Sequence, residues 1–142
     1  MPSVLVDTGV WYALCDFRDT VAPRDRIEEI YDRIRLHDVL IPWPIAYETL
    51  RTRLVRNRLA MARFEQELKS PRVVLLDDAP YREEAIELSF ESSLRRGRPL
   101  SMVDCLLRLL IDDVRVRMKF LATFNPRDFH DVCARRGIEL WG

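Results

Sequence analysis

The chain has 142 residues, the size of one ordinary domain, and its composition of 48% apolar and 32% charged residues excludes a disordered chain. No apolar run is long enough to span a bilayer, which predicts no membrane partner. The 23 basic and 23 acidic side chains cancel, so a basic isoelectric point offers no argument for nucleic-acid binding and local charge has to supply one.

Met1 to Asp7 carries neither the basic stretch nor the long apolar core of a secretory signal, which predicts a cytoplasmic protein forming a single domain over 1–142. Cys15, Cys105 and Cys133 are an odd number without CxxC spacing, so they read as reduced, buried apolar residues. His37 and His130 are too far apart in sequence for a zincin-type site.

In chain order, Val4-Leu5-Val6 reads as a buried strand ending at the helix-start pair Asp7-Thr8. A short helix over 10–14 follows. After Pro23, Ile27, Ile30, Tyr31 and Ile34 repeat at helical spacing and predict an amphipathic helix ending near His37. Val39-Leu40-Ile41 is a second strand stopped by Pro42 and Pro44, followed by a helix through Ile45, Leu50, Leu54 and Val55 and another over 59–69.

Val73 to Leu76 is a third apolar run closed by Asp77-Asp78, with Pro80 in the first turn of a helix over 81–96 that presents Ala85, Ile86, Leu88 and Phe90. That helix breaks at Gly97 and Pro99. Ser101 opens the next, through Cys105, Leu106, Leu109 and Leu110 to about Arg115; Phe120 to Ala122 is a fourth strand. A last helix over 128–136 closes at Gly137, and Ile138 to Trp141 is a fifth strand. Short apolar strands alternating with helices predict an α/β domain with a mainly parallel five-stranded sheet covered on both faces. Ligand chemistry in such sheets gathers at the carboxyl ends of the strands.

Asp7 follows the first predicted strand directly, Asn125 comes shortly after the fourth, Glu48 lies one turn into the helix after the second strand, and Asp104 is in the first turn after Ser101. Each has an ordinary explanation as well. Asp7-Thr8 fits a helix cap, Ser101-x-x-Asp104 fits a capping box, and Glu48 with Arg51 fits an exposed ion pair. Asp77-Asp78 resembles the acidic end of a phosphoacceptor strand, but Lys119 begins its strand where a receiver would need a lysine at the end.

Taken in order, Asp7-Thr8, the segment Ala46-Tyr-Glu48-Thr-Leu50, Ser101-Met-Val-Asp104 and Thr123-Phe-Asn125-Pro-Arg-Asp128-Phe129 resemble the motifs of PIN domains, in particular the VapC-type toxin ribonucleases. The resemblance implies a three-layer α/β/α domain and Mg²⁺- or Mn²⁺-dependent endonucleolytic cleavage of RNA, leaving 5′ phosphate and 3′ hydroxyl ends. It also implies a homodimer neutralised by a small antitoxin protein. Residue by residue, Asp7, Glu48 and Asp104 match the metal-binding acids of the catalytic site, and Asn125 stands where many relatives carry aspartate. Either Asn125 or Asp128 completes the set. Thr8, Ser101 and Thr123 are the hydroxyls expected to hold carboxylates or water.

Oxygen donors suit a hard divalent cation, which relieves repulsion among clustered carboxylates. Arginines follow Glu48 at Arg51, Arg53, Arg56, Arg58 and Arg63, and precede Asp104 at Arg95, Arg96 and Arg98. Solvated helix faces explain them, and so does phosphate binding beside an acidic pocket, with Arg51, Arg95, Arg96 and Arg98 as the candidates. A PIN-type nuclease of RNA processing outside a toxin system and a catalytically defective PIN binding module fit the same motifs. Apolar helix faces including Ile30, Ile34 and Leu54 are expected to contribute to a homodimer.

Overall fold

A computed structural model describes residues 3–142 as an α/β fold built on five parallel strands in the order β3-β2-β1-β4-β5. The strands are β1 (Ser3–Val6), β2 (Asp38–Pro42), β3 (Val73–Leu76), β4 (Phe120–Ala122) and β5 (Glu139–Trp141). Seven α-helices lie among the described residues: α1 (Thr8–Cys15), α2 (Arg24–Ile34), α3 (Trp43–Arg51), α4 (Arg58–Leu68), α5 (Arg82–Leu94), α6 (Met102–Asp112) and α7 (His130–Arg136). Helix α1 packs on α2, α3 and α4, while α6 packs on α5 and α7, so the layers are α/β/α. No helix of the described residues is long and apolar enough to cross a membrane.

Strand β1 is central, and Val4, Leu5 and Val6 are fully buried because helices cover both faces of the sheet. The core joins them to Trp11, Ile41, Ile45, Phe64, Leu107, Leu110, Leu121 and Phe129. Cys15, Cys105 and Cys133 are free and buried. Burial pushes the Cys15 thiol up to about 12 and that of Cys133 to about 11, so both stay protonated at neutral pH.

Several boundaries differ from the sequence reading, each for a local reason. Pro42 does not stop β2 but pairs within it, opposite Leu76, and Pro44 sits in the first turn of α3, where a missing N–H costs nothing. The helix expected to run through Leu54 breaks at Thr52. Its hydroxyl donates to the Thr49 carbonyl at 2.6 Å and accepts from the Leu54 N–H at 3.3 Å, starting a separate 3₁₀ turn over Arg53–Arg56. Pro80 belongs to another such turn, Ala79–Tyr81, ahead of α5. The last helix begins at His130, after a 3₁₀ turn at Pro126–Asp128, and ends on Gly137, whose φ of 66° suits glycine.

Burial at the sheet edge and on the helix faces corrects one expectation, the dimer surface. Strand β3 is an edge strand with Val74 and Leu75 exposed, and Ile86 and Phe90 of α5 point outward although Ala85 is buried. Ile30, Ile34 and Leu54 are buried within their own chain, so they offer no surface to a second copy.

Candidate functional site

The strand order reverses direction at β1. The chain moves from β1 outward through β2 to β3, then returns to place β4 on the other side of β1. Loops leaving the carboxyl ends of β1 and β4 therefore diverge, and they leave a crevice between them. Asp7 leaves β1 and Thr123 leaves β4 at this point, and the Asp7 N–H donates to the Ala122 carbonyl at 2.9 Å. Helix α6 runs back toward the start of β4, which brings its first turn, with Asp104, to the same edge. Helix α3 starts from that edge and carries Glu48.

A cleft of about 460 Å³ results, lined by Asp7, Thr8, Glu48, Arg51, Asp104 and Asn125, together with Gly9, Thr52 and Phe124. Each carboxylate has a hydroxyl partner. Thr8 Oγ1 donates to Glu48 Oε1 at 2.8 Å, and Thr123 Oγ1 donates to Asp7 Oδ2 at 3.0 Å. Ser101 accepts from the Asp104 N–H at 3.1 Å, and bonds from Ser101 stabilise the Asp104 carboxylate in return. Asp7 does cap α1, accepting the Thr8 N–H at 2.8 Å, while the cap of α6 is Ser101. A cap uses only part of a carboxylate's four lone-pair sites. Glu48 is bonded to Thr8 and no ion pair with Arg51 forms among the described residues.

Burial raises the Asp7 carboxyl above its ordinary range, and the charges of Asp104 and Glu48 add to the rise against the bonds from Thr8 and Thr123. Asp104 is raised in the same way, by burial first and then by the charge of Asp128, against its bonds to Ser101. These are carboxylates whose neighbours oppose their own charge. Asn125 donates its amide to Asp128 Oδ2, which leaves the Asn125 carbonyl oxygen free of that bond. Asp128 itself is not part of the cleft lining.

Among the described residues no three His, Cys, Asp or Glu side chains come close enough together to form a ready-made metal cage. Asp7, Glu48 and Asp104 share a cleft without converging on one point. An all-oxygen set of this kind fits a hard cation that keeps several of its waters and takes one or two carboxylates directly, as Mg²⁺ does.

The arginines divide. Arg51 lines the cleft, whereas Arg53 pairs with Asp19 at 3.2 Å and Arg63 donates to the Cys15 carbonyl at 3.0 Å. Arg96 pairs with Glu91 at 3.3 Å, and Arg98 donates to the Arg127 carbonyl at 2.7 Å and faces Asp131 at 3.4 Å. None of Arg95, Arg96 and Arg98 lines the cleft.

One tie beside the cleft escaped the sequence reading. Arg108 makes two bonds to Asp131, at 2.7 and 2.8 Å, and a third to the Asp128 carbonyl at 2.7 Å, so it ties α6 to the turn that carries Asn125 and Asp128. Its guanidinium holds the Asp131 carboxyl well below the usual carboxylate range. The available signal was a lone arginine inside the apolar run Cys105 to Ile111.

Fold and cleft together define an α/β protein with an acidic, hydroxyl-supported pocket at the switch point of a parallel sheet. The chain matches no protein-family model and none of the curated proteins.

Proposed function

We propose that this protein is a metal-dependent endoribonuclease of the PIN type, acting as the toxin of a toxin–antitoxin pair. One observation carries the reading: Asp7, Glu48 and Asp104, from three separate elements, line one cleft at the switch point. The ordered resemblance of the four motifs gives that acidic cleft its chemistry.

In this reading Asp7, Glu48 and Asp104 would hold Mg²⁺ or Mn²⁺, one or two of them directly and the rest through its waters, and the Asn125 carbonyl oxygen would be available as a neutral donor. When bound, such a cation would supply positive charge and would make a water nucleophilic at neutral pH. The hydroxyls of Thr8 and Thr123 fix the carboxylates they touch, which limits the reorganisation needed when substrate arrives. Arg51 binds a neighbouring phosphate of the strand and offsets the repulsion between RNA and the acidic cleft. Water adds to phosphorus and the 3′ oxygen leaves, giving a 5′ phosphate and a 3′ hydroxyl with no covalent enzyme intermediate.

A homodimer and a small antitoxin partner belong to the same proposal. Ile86, Phe90 and Leu94 recur at one-turn spacing on α5 and are all exposed, which supports that helix as the dimer surface in place of the buried Ile30, Ile34 and Leu54.

The lack of a ready-made metal cage among the described residues and the neutral Asn125 favour one second reading, a PIN-type binding module that retains the fold without turnover. Incubation of the purified protein with total RNA and Mg²⁺ or Mn²⁺, followed by sequencing of the ends, separates the two. Cleavage with 5′ phosphate ends that Asp7→Asn abolishes is expected. RNA left intact with either metal sinks the nuclease reading.

A further inference from the structure

Arg108 stands one turn after Asp104 on α6 and so shares its face of the helix. Its bonds to Asp131 use both carboxylate oxygens, and its third bond grips the Asp128 carbonyl. Asp131 takes a second arginine as well. Arg98, just ahead of the Ser101 cap of α6, faces Asp131 at 3.4 Å and donates to the Arg127 carbonyl at 2.7 Å. The Arg98 backbone is anchored in turn on α5: the Ser92 hydroxyl donates to its carbonyl at 2.6 Å, and its N–H donates to the Ser92 carbonyl at 2.9 Å. One carboxylate therefore clamps the segment carrying Ser101 and Asp104, on both sides, to the turn carrying Asn125 and Asp128. At the cleft itself these two pieces do not attract. The charge of Asp128 opposes that of Asp104, so like charges push them apart.

We propose that Asp131 is a positioning residue for the cleft: through Arg98 and Arg108 it holds the Asp104 wall against the Asn125 turn, in opposition to the Asp104–Asp128 repulsion, so that the oxygen donors are in place before a cation arrives. The inference rests on the metal-dependent reading of the cleft and adds the device that preorganises it. Two planar guanidinium groups on one carboxylate fix direction as well as distance. With the donors held, cation binding need not first draw like charges together.

The test is amide hydrogen exchange at residues 104–106 and 123–129 of the metal-free protein, in the parent, Asp131→Asn, Asp128→Asn and the double variant. Mn²⁺ affinity of the same proteins is read from the electron paramagnetic resonance of the free ion. Asp131→Asn should speed exchange in both segments about ten-fold and weaken Mn²⁺ binding about ten-fold. Adding Asp128→Asn should restore much of the lost protection, because it removes the repulsion that the clamp opposes. A carboxylate that only steadies the first turn of α7 gives the opposite sign, since loss of a second acid beside that helix start speeds exchange further. Arg98→Gln, at a side chain 40% exposed, removes one arm of the clamp without touching the core and should loosen residues 104–106 to a smaller extent. Parent-like exchange in Asp131→Asn overturns the proposal, and so does a double variant that exchanges as fast as Asp131→Asn or faster. Cleavage of RNA by the same proteins keeps the two ideas apart. The expected exchange pattern in a protein that binds no Mn²⁺ and cuts no RNA keeps the clamp and removes the nuclease reading, whereas cleavage with parent-like exchange in Asp131→Asn does the reverse.

Discussion

Thr123 donates its hydroxyl to Asp7 at 3.0 Å across 116 residues of sequence, a contact made possible because β1 and β4 pair side by side at the centre of the sheet. The same oxygen accepts the Asn125 N–H, so one buried hydroxyl aligns two walls of the cleft. Thr123→Val keeps the shape and removes both bonds. It should cost about 1–3 kcal/mol in urea denaturation at neutral pH and reduce cleavage, with Thr123→Ser recovering most of both. A valine variant as stable and active as the parent would show that the hydroxyl aligns nothing.

The raised carboxyls of Asp7 and Asp104 make a prediction about pH. A group whose folded pKa lies above its unfolded value contributes stability that is fully present below the ordinary value of 3.8 and is lost as pH rises through the folded value. Asp7→Asn and Asp104→Asn remove that loss. In buffer free of divalent ions, each variant should therefore gain on the parent between about pH 3 and pH 7, read as the difference in urea midpoints at the two ends. A difference that does not move with pH contradicts the assigned burial and repulsion.

Cation binding should act in the opposite direction on the parent. Mg²⁺ at about a hundred times its dissociation constant adds roughly 2.7 kcal/mol if the unfolded chain binds none. Thermal melting with and without Mg²⁺ or Mn²⁺ should show a shift in the parent that shrinks in Asp7→Asn, Glu48→Gln and Asp104→Asn. Equal shifts in all four proteins would place any cation elsewhere.

Arg108 is mostly buried, with 15% of its side chain exposed, while Asp131 is 39% exposed, so their paired bonds are partly screened by solvent. Arg108→Met should cost about 1–2 kcal/mol and loosen the turn carrying Asn125. Because Asp131 is held below its ordinary range, the parent's advantage is present above that range and fades as pH falls through the depressed folded value. Hydrogen exchange at residues 123–129 reports the loosening, and unchanged protection there would remove Arg108 from the support of the site.

The homodimer surface is tested by charge. Phe90 and Leu94 are 63% and 79% exposed, so Phe90→Glu with Leu94→Glu leaves the core alone. Sedimentation at about tens of micromolar should give a dimer for the parent and a monomer for the double variant, with similar melting temperatures. A monomeric parent removes the dimer without touching the nuclease reading.

The apolar runs at Val4, Val39 and Phe120 read correctly as strands because a parallel strand covered on both faces needs apolar residues throughout, and that requirement is local. Run composition says nothing about neighbours, so the apolar run Val73 to Leu76 does not reveal that β3 lies at the sheet edge with Val74 and Leu75 exposed. The break at Thr52 was hidden for a related reason: apolar spacing through Leu50 and Leu54 continues whether the next turn is α or 3₁₀. The residue types of the cleft were legible one motif at a time. Which hydroxyl serves which carboxylate was not, since Thr8 meets Glu48 and Thr123 meets Asp7 only through strand order. The gathering of the acids in one cleft, an apolar cleft beyond Phe124 and the tie from Arg108 to Asp131 depend likewise on where helices of distant sequence cross the sheet edge. Local periodicity encodes which face of an element is apolar, whereas these contacts are fixed by the packing of whole layers against one another.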